Sequence, residues 1–304
     1  LVVVFMGTPQ FAVPTLAALV AVGHQVCAVY TQPDRPAGRG QQLALSPVKQ
    51  AALALELPIF QPERIRRPEI VEELRAFQAD VMVVVGYGQI IPQVIIDLPP
   101  LGIINVHASL LPRYRGAAPI QWALANGDTV TGVTTMLINA GLDTGDILRT
   151  AEIAIDPLET APELSARLSR LGAALCVETL AHPLSPVPQN SGEATLARIL
   201  TKDDARIDWS RTAAEIHNRM RGFTPWPGAV CSFRGAPLKI HAALPLPELT
   251  NLPPGAIVPG APFRVACGAG TVLAINEVQQ EGRKRIPAGG FRNGHRLADN
   301  ESLT

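Results

Sequence analysis

The chain has 304 residues, 47% of them hydrophobic and 17% charged, with 26 Lys+Arg against 26 Asp+Glu. That length suits one large domain or two ordinary ones, and that apolar content excludes a chain left disordered for want of a core. Zero net charge excludes a uniformly basic or acidic protein, but the charge is unevenly spread. Residues 1–200 hold 13 basic against 17 acidic side chains, a balance of −4, and residues 201–304 hold 13 against 9, a balance of +4. A basic C-terminal third points to an anionic partner, although a solvated surface looks the same.

Leu1–Met6 is a continuous apolar run, the pattern of a parallel strand buried on both faces. Gly7-Thr8-Pro9 breaks it, Phe11–Val22 reads as a helix with Pro14 near its start, and Gln25–Tyr30 is a second strand. Strand, turn, helix and strand within thirty residues make a βαβ unit. Residues 31–47, TQPDRPAGRGQQLALSP, read as an exposed loop. Helices are expected over Pro47–Leu57 and Pro68–Gln78, with strands at Ile59–Phe60 and Asp80–Val85. Ile103–Val106 is a strand ending at Asn105 and His107, and Gly116–Asn126 a helix. Val130–Asn139 alternates Thr with apolar residues, a sheet pattern, and a further strand runs to Ile155 after the turn Gly141–Asp146. Thr160 and Glu163 form a capping box for a helix whose stripe is Leu164, Leu168, Leu171 and Leu175. Residues 182–193, HPLSPVPQNSGE, have the composition of a linker. A short helix over Thr212–Arg221 and Gly- and Pro-split apolar runs from Ala229 to Leu297 follow, the pattern of a small antiparallel barrel. The expected architecture is α/β: a Rossmann-like, mostly parallel sheet domain over 1–188, a linker over 189–206, and a smaller β-rich, OB-like domain over 207–304.

Cys27, Cys176, Cys231 and Cys267 are widely spaced, which fits reduced thiols in a cytosol-like compartment better than a disulfide framework or zinc ribbon. No apolar run approaches the roughly 20 residues of a membrane span. The opening LVVVF is too short for a signal sequence, and the missing initiator Met leaves room for a lost leader. A monomer is expected. The six histidines show no metal-ligand spacing, so no metal is expected. There is no GxGxxG after the first strand, no P-loop, and no GxSxG elbow.

Open α/β sheets bind ligands beyond the carboxyl ends of their strands. Three loops leave such ends: Gly7–Gln10, Gly86–Gln89 and Asn105–Ser109. Taken singly, His107 fits a core histidine, Asn105 a turn cap, and Asp143 a turn residue. Together they fit a chemistry. An Asn amide donates to a developing oxyanion, His donates or moves a proton, and a carboxylate orients the imidazole. Asn105 and His107 are two apart and face one side of a strand. The set suits attack of an amine on a carbonyl, not hydride transfer.

Asn105-x-His107-x-Ser109-Leu110-Leu111-Pro112 with Tyr114-Arg115-Gly116 resembles the signature of the folate-dependent formyltransferases. Gly141-Leu142-Asp143-Thr144-Gly145-Asp146 resembles that family's second signature. GTPQFAVPTL, TQPDRPAGRG, SPVK, GYGQIIP, ARIDWS and FTPWPGAV extend the resemblance over nearly the whole chain and favour its methionyl-tRNA formyltransferase branch. The resemblance implies transfer of a formyl group from 10-formyltetrahydrofolate, a co-substrate, to the α-amino group of methionine on initiator tRNA. It implies that Asn105 and His107 bind the formyl oxygen and that Asp143 positions His107 and helps take the amine proton. Ser109, Leu110, Leu111 and Pro112, with Tyr87, Gly88 and Ile90, would line the folate pocket. Arg39, supported by Arg35 and Lys49, would meet the tRNA acceptor end. The family often carries Lys after GRG; this chain has Gln41-Gln42, so a shallower salt dependence is expected. Arg219, Arg221, Lys239, Arg264, Arg283, Lys284 and Arg285 are candidates for a basic RNA-facing surface. Two other readings stand beside this one: a formyltransferase acting on a small amine such as a sugar nucleotide, and a non-catalytic RNA-binding module.

Overall fold

Apolar runs without alternation become the central strands of the first sheet, as burial on both faces requires. The computed structural model describes residues 1–37, 42–260, 262–298 and 301–304. In chain order the first part holds β1 (Val2–Gly7), α1 (Val13–Ala21), β2 (Gln25–Tyr30), β3 (Arg35–Ala37), β4 (Gln42–Ala44), α2 (Pro47–Ala54), β5 (Ile59–Phe60), α3 (Pro68–Ala76), β6 (Val81–Val85) and α4 (Gln93–Ile96). It continues with β7 (Ile103–His107), β8 (Arg115–Gly116), α5 (Pro119–Ala125), β9 (Val130–Leu137), β10 (Ile147–Ala154), α6 (Ala161–Leu180) and β11 (Leu196–Ala197).

The main sheet has the order β10-β9-β7-β6-β1-β2-β5. β5, β2, β1, β6 and β7 run parallel, and β9 is antiparallel to both β7 and β10. The winding direction reverses between β1 and β6, the usual ligand crevice of such sheets. Here the loops after β1, β2 and β6 are tied together: Thr8 Oγ1 and Gln32 Nε2 both donate to the Tyr87 carbonyl, at 3.0 and 3.1 Å. The next carboxyl end along the sheet is that of β7, where Asn105 and His107 lie.

Three local features differ from expectation. Residues 35–44 include a two-stranded antiparallel ribbon, β3 with β4, where a loop was expected. The helix expected from Gly116 starts at Pro119, because Arg115 and Gly116 pair in parallel with Leu196 and Ala197. The Pro-rich segment expected as a linker is hydrogen-bonded in place. Val187 exchanges two backbone bonds with Ile147, at 2.8 and 2.9 Å, and the Gln189 side chain reaches Arg115, Met136 and the Asp143 and Gly145 carbonyls. Proline-rich composition sets backbone stiffness but says nothing about which side chains find partners.

The remaining elements are α7 (Ala213–Gly222), β12 (Val230–Phe233), β13 (Ala236–Leu249), β14 (Ile257–Val258), β15 (Arg264–Ala266), β16 (Thr271–Gln280), β17 (Ile286–Pro287) and α8 (Ala288–His295). Their antiparallel sheet has the order β12-β13-β16-β15-β14, with β17 beside β16. Register shifts along β13 bend it, as bulges do. Residues 301–304 bridge both outer strands: Ser232 N donates to Thr304 O at 2.6 Å, and Ile257 N to Glu301 O at 2.9 Å. The sheet therefore curls into a barrel around Trp209, Leu238, Phe263, Leu273 and Phe291.

The chain divides into two compact units, Leu1–Pro119 with Val130–Ala154 and Leu164–Ala197, and Ile120–Thr129 with Ile155–Glu163 and Arg198–Thr304. In the second unit Trp122 meets the Phe223 ring edge-on at 5.4 Å, and Arg198 stacks over Trp122 at 4.8 Å. Arg198 also grips Asp204 with both nitrogens, at 2.8 and 2.5 Å. These bonds, with those from Thr201, hold the Asp204 carboxyl down to about 2 from its ordinary 3.8, against the opposing effect of burial. A depressed carboxyl pKa adds stability that is full above about pH 4 and lost as pH falls toward 2. Asp204→Asn is therefore expected to lower the urea midpoint at pH 7 and to differ little from the wild type near pH 2. An equal difference at both pH values would contradict this account of Asp204.

Candidate active site

The site begins with strand geometry. β7 pairs with β6 through Val84 and Asn105, and with β9 through Asn105–Met136 and His107–Thr134. A two-residue spacing turns Asn105 and His107 to one face. Asn105 is partly exposed, and its amide makes no hydrogen bond among the described residues. His107 is only 7% exposed. Its Nε2 lies 2.9 Å from the Tyr114 carbonyl, which only accepts, so Nε2 carries the hydrogen. Its Nδ1 faces Asp143 Oδ2 at 3.8 Å.

Asp143 comes from the turn between β9 and β10, with its backbone in the left-handed region at φ 50°. Its Oδ2 accepts from the Gly116 N–H at 2.8 Å. Gly116 has φ 118°, and a Cβ there would lie 2.7 Å from the Ala197 carbonyl oxygen, so this position requires glycine. Gly145 is needed for another reason: a Cβ there would lie 1.7 Å from the Leu137 carbonyl oxygen.

The turn after β7 is fastened from within. Ser109 Oγ donates to Arg113 O at 2.7 Å, and Thr134 Oγ1 donates to Ser109 O at 2.7 Å and accepts from Leu111 N at 3.1 Å. Ser109 and Leu111 are buried, so within 109–112 the partly exposed side chains are those of Leu110 and Pro112. Tyr87 as a whole is 1% exposed, its carbonyl taken by Thr8 and Gln32, which leaves the exposed Gly88 as the backbone open to a ligand there. Ile90 stands 92% exposed, unusual for an isoleucine beside a strand end.

Of the basic candidates in the first unit, Arg39 lies outside the described residues. Arg35 is exposed on β3. Lys49 is engaged: its ammonium binds Asp34 and, at 2.7 Å, Gln61 Oε1, which draws the Asp34 carboxyl below its ordinary range. In the second unit Arg221 is buried and donates to the Asp156 and Glu159 carbonyls, at 3.0 and 3.2 Å. Arg264 is held by Glu248 and Arg285 by Glu277. Arg219 packs against the Phe223 ring at 4.8 Å. Lys239 is partly exposed, while Arg283 and Lys284 are exposed. No group of three His, Cys, Asp or Glu among the described residues is arranged to hold a metal ion.

Residues 1–180 match the family model described as formyl transferase, and residues 199–296 match that of the formyl transferase C-terminal domain. The chain belongs to the formyl transferase family. This formyl transferase is 60% identical over 304 residues to a methionyl-tRNA formyltransferase of Solibacter usitatus, a match covering 99% of the chain and 97% of that relative. It is 56% identical to a methionyl-tRNA formyltransferase of Koribacter versatilis, covering 97% and 96%. Among solved structures it resembles an N-formyltransferase from Helicobacter canadensis in complex with folinic acid and dTDP-3-aminofucose. There the TM-score is 0.67 at 18% identity, over 92% of this formyl transferase and 100% of that chain. At that identity the likeness is one of fold.

Proposed function

We propose that this formyl transferase moves the formyl group of 10-formyltetrahydrofolate to the α-amino group of methionine on initiator methionyl-tRNA, for the start of translation. The observation that carries the reading is the 60% identity to a methionyl-tRNA formyltransferase, running through both units. The sugar-amine reading draws on structures that match at 18% identity. The RNA-binding reading leaves the His107–Asp143 pair and the unoccupied Asn105 amide without a purpose.

The folate supplies the formyl carbonyl. Leu110, Ile90 and the exposed Gly88 backbone, seated on the buried Tyr87, offer a partly apolar wall for its ring. The free Asn105 amide donates to the formyl oxygen as negative charge builds there. In the neutral His107 ring, Nε2–H is held by Tyr114 O, so Nδ1 is the nitrogen able to take a proton from the attacking amine. The resulting imidazolium faces Asp143, which stabilises it, and Nδ1–H can return the proton to the departing nitrogen. The new C–N bond forms at the methionine amine, the old one breaks at the folate nitrogen, and the proton count balances. The compartment that fits is cytosol-like: all four cysteines are free, and no helix among the described residues is long and apolar enough to cross a membrane.

For tRNA the reading places Arg39 and the exposed Arg35 on the acceptor end, with Lys49 bracing the base of the β3–β4 ribbon rather than meeting phosphate. Arg35→Ala and Arg39→Ala are each expected to flatten the log–log salt dependence of tRNA binding by about 1. The KM for folate should not move. Slopes identical to wild type in both variants would remove Arg35 and Arg39 from the tRNA interface.

A further inference from the structure

We propose that Gln189 is a positioning residue for formyl transfer, setting the place of Asp143 beside His107 from a segment with no catalytic group of its own. The proposal rests on the reading above that Asp143 serves the reaction through His107.

The Gln189 amide is saturated in a way only Gln fits. Its Nε2 donates to two carbonyls of the Asp143 turn, Asp143 O at 2.9 Å and Gly145 O at 2.7 Å. Its Oε1 accepts two bonds from Arg115, Nε at 3.1 Å and Nη2 at 2.7 Å. Two donors and two lone pairs are thereby all used. Arg115 is buried, so this is a low-dielectric contact and not a passing surface pair.

These bonds close a ring. Gln189 holds the Asp143 main chain, the Asp143 carboxylate holds Gly116 N, and Gly116 follows Arg115, whose guanidinium returns to Gln189. The chain on either side of Gln189 is itself anchored. Val187 pairs with Ile147, Thr195 Oγ1 accepts from Tyr114 N at 2.8 Å, and Ala197 O accepts from Ala117 N at 2.9 Å. Tyr114 is also the residue whose carbonyl fixes His107 Nε2. Residues 187–197 thus strap together the two turns that carry His107 and Asp143, and Gln189 is the one side chain that joins both.

Asn at this position is a methylene short of spanning both turns. Glu keeps the shape and the Arg115 pair but turns an acceptor toward two carbonyl oxygens, releasing the Asp143 turn. Displacement of a catalytic group by about 1 Å costs on the order of 10²-fold, and kcat of Gln189→Glu should fall by about 10- to 100-fold. KM for folate and for tRNA should stay near wild type, because neither substrate is held by this amide.

The test measures kcat, both KM values and the melting temperature for Gln189→Glu, Gln189→Leu, Asp143→Ala and the double variant Gln189→Glu/Asp143→Ala. The expected result is a kcat loss in Gln189→Glu at unchanged KM that vanishes on the Asp143→Ala background, since the amide then has nothing to place. Gln189→Leu should reproduce the loss if it folds; Gln189→Glu, which preserves the fold contacts with Arg115, decides the matter otherwise. Wild-type kcat in Gln189→Glu while Asp143→Ala is crippled overturns the proposal alone. So does a loss that multiplies fully with that of Asp143→Ala, which marks a general structural role. Near-normal kcat in Asp143→Ala overturns the underlying reading of Asp143, and the positioning proposal with it.

Discussion

His107→Ala is expected to lower kcat for formyl transfer by about 10²- to 10⁴-fold, the range of a lost acid–base group. The size follows from how fully the ring is committed. One nitrogen is anchored on a backbone carbonyl, so the ring has one orientation, and the other faces a carboxylate that is itself held by a backbone N–H. An alanine leaves the amine without a proton acceptor and removes the Nε2 bond to Tyr114 O, at a cost of about 0.5–1.5 kcal/mol in stability. Thermal melting must therefore accompany the kinetics, so that a folded but slow enzyme is distinguished from an unfolded one. Asp143→Asn separates the parts: it retains an acceptor for Gly116 N but not the charge. Its kcat should fall by about 10-fold or more with KM unchanged. Rates near wild type in a folded His107→Ala variant would remove His107 from the chemistry.

The second large effect is expected at a residue that touches no substrate. Gly145→Ala introduces a Cβ 1.7 Å from the Leu137 carbonyl oxygen, a separation that no side-chain rotation can relieve. The turn must move, which strains the Leu137 N–Asp146 O bond of 2.9 Å and the Gln189 bond to Gly145 O. Asp143 is two residues away on the same turn. The expected outcome is a stability loss of about 2–3 kcal/mol, read from denaturant midpoints, with kcat reduced by about 10²-fold. A variant with wild-type midpoint and kcat would show that the turn tolerates a shift of that size and does not place Asp143.

The β7 end of the site was legible because two signals coincide there. The apolar run before it marks a strand, and a two-residue spacing turns Asn105 and His107 to one side whatever the rest of the fold does. Asp143 was legible as a turn carboxylate that could serve an imidazole, but its pairing with His107 came from the resemblance, since it spans 36 positions and leaves no periodic trace in the chain. The same reason hid Gln189. Its partners lie 44 to 74 residues away, two of them are backbone oxygens that carry no sequence label, and it sits in a proline-rich segment with the composition of a linker. Basic residues were legible as charges but not as free charges. Lys49, Arg221, Arg264 and Arg285 are each spent on partners within the fold, so of the exposed run 283–285 it is Arg283 and Lys284 that have no acidic partner among the described residues. The swap of α5's start for the β8–β11 pair has a comparable origin: two residues, too short for any alternation, gained partners from residues 195–197.

The acceptor is tested most directly by comparing kcat/KM for formyl transfer from 10-formyltetrahydrofolate to charged initiator methionyl-tRNA, free methionine and a nucleotide-linked amino sugar. Transfer to the charged tRNA should be efficient, with the other two slower by orders of magnitude, and the tRNA reaction should be lost in His107→Ala. Efficient transfer to the amino sugar with none to the tRNA would contradict the proposed function.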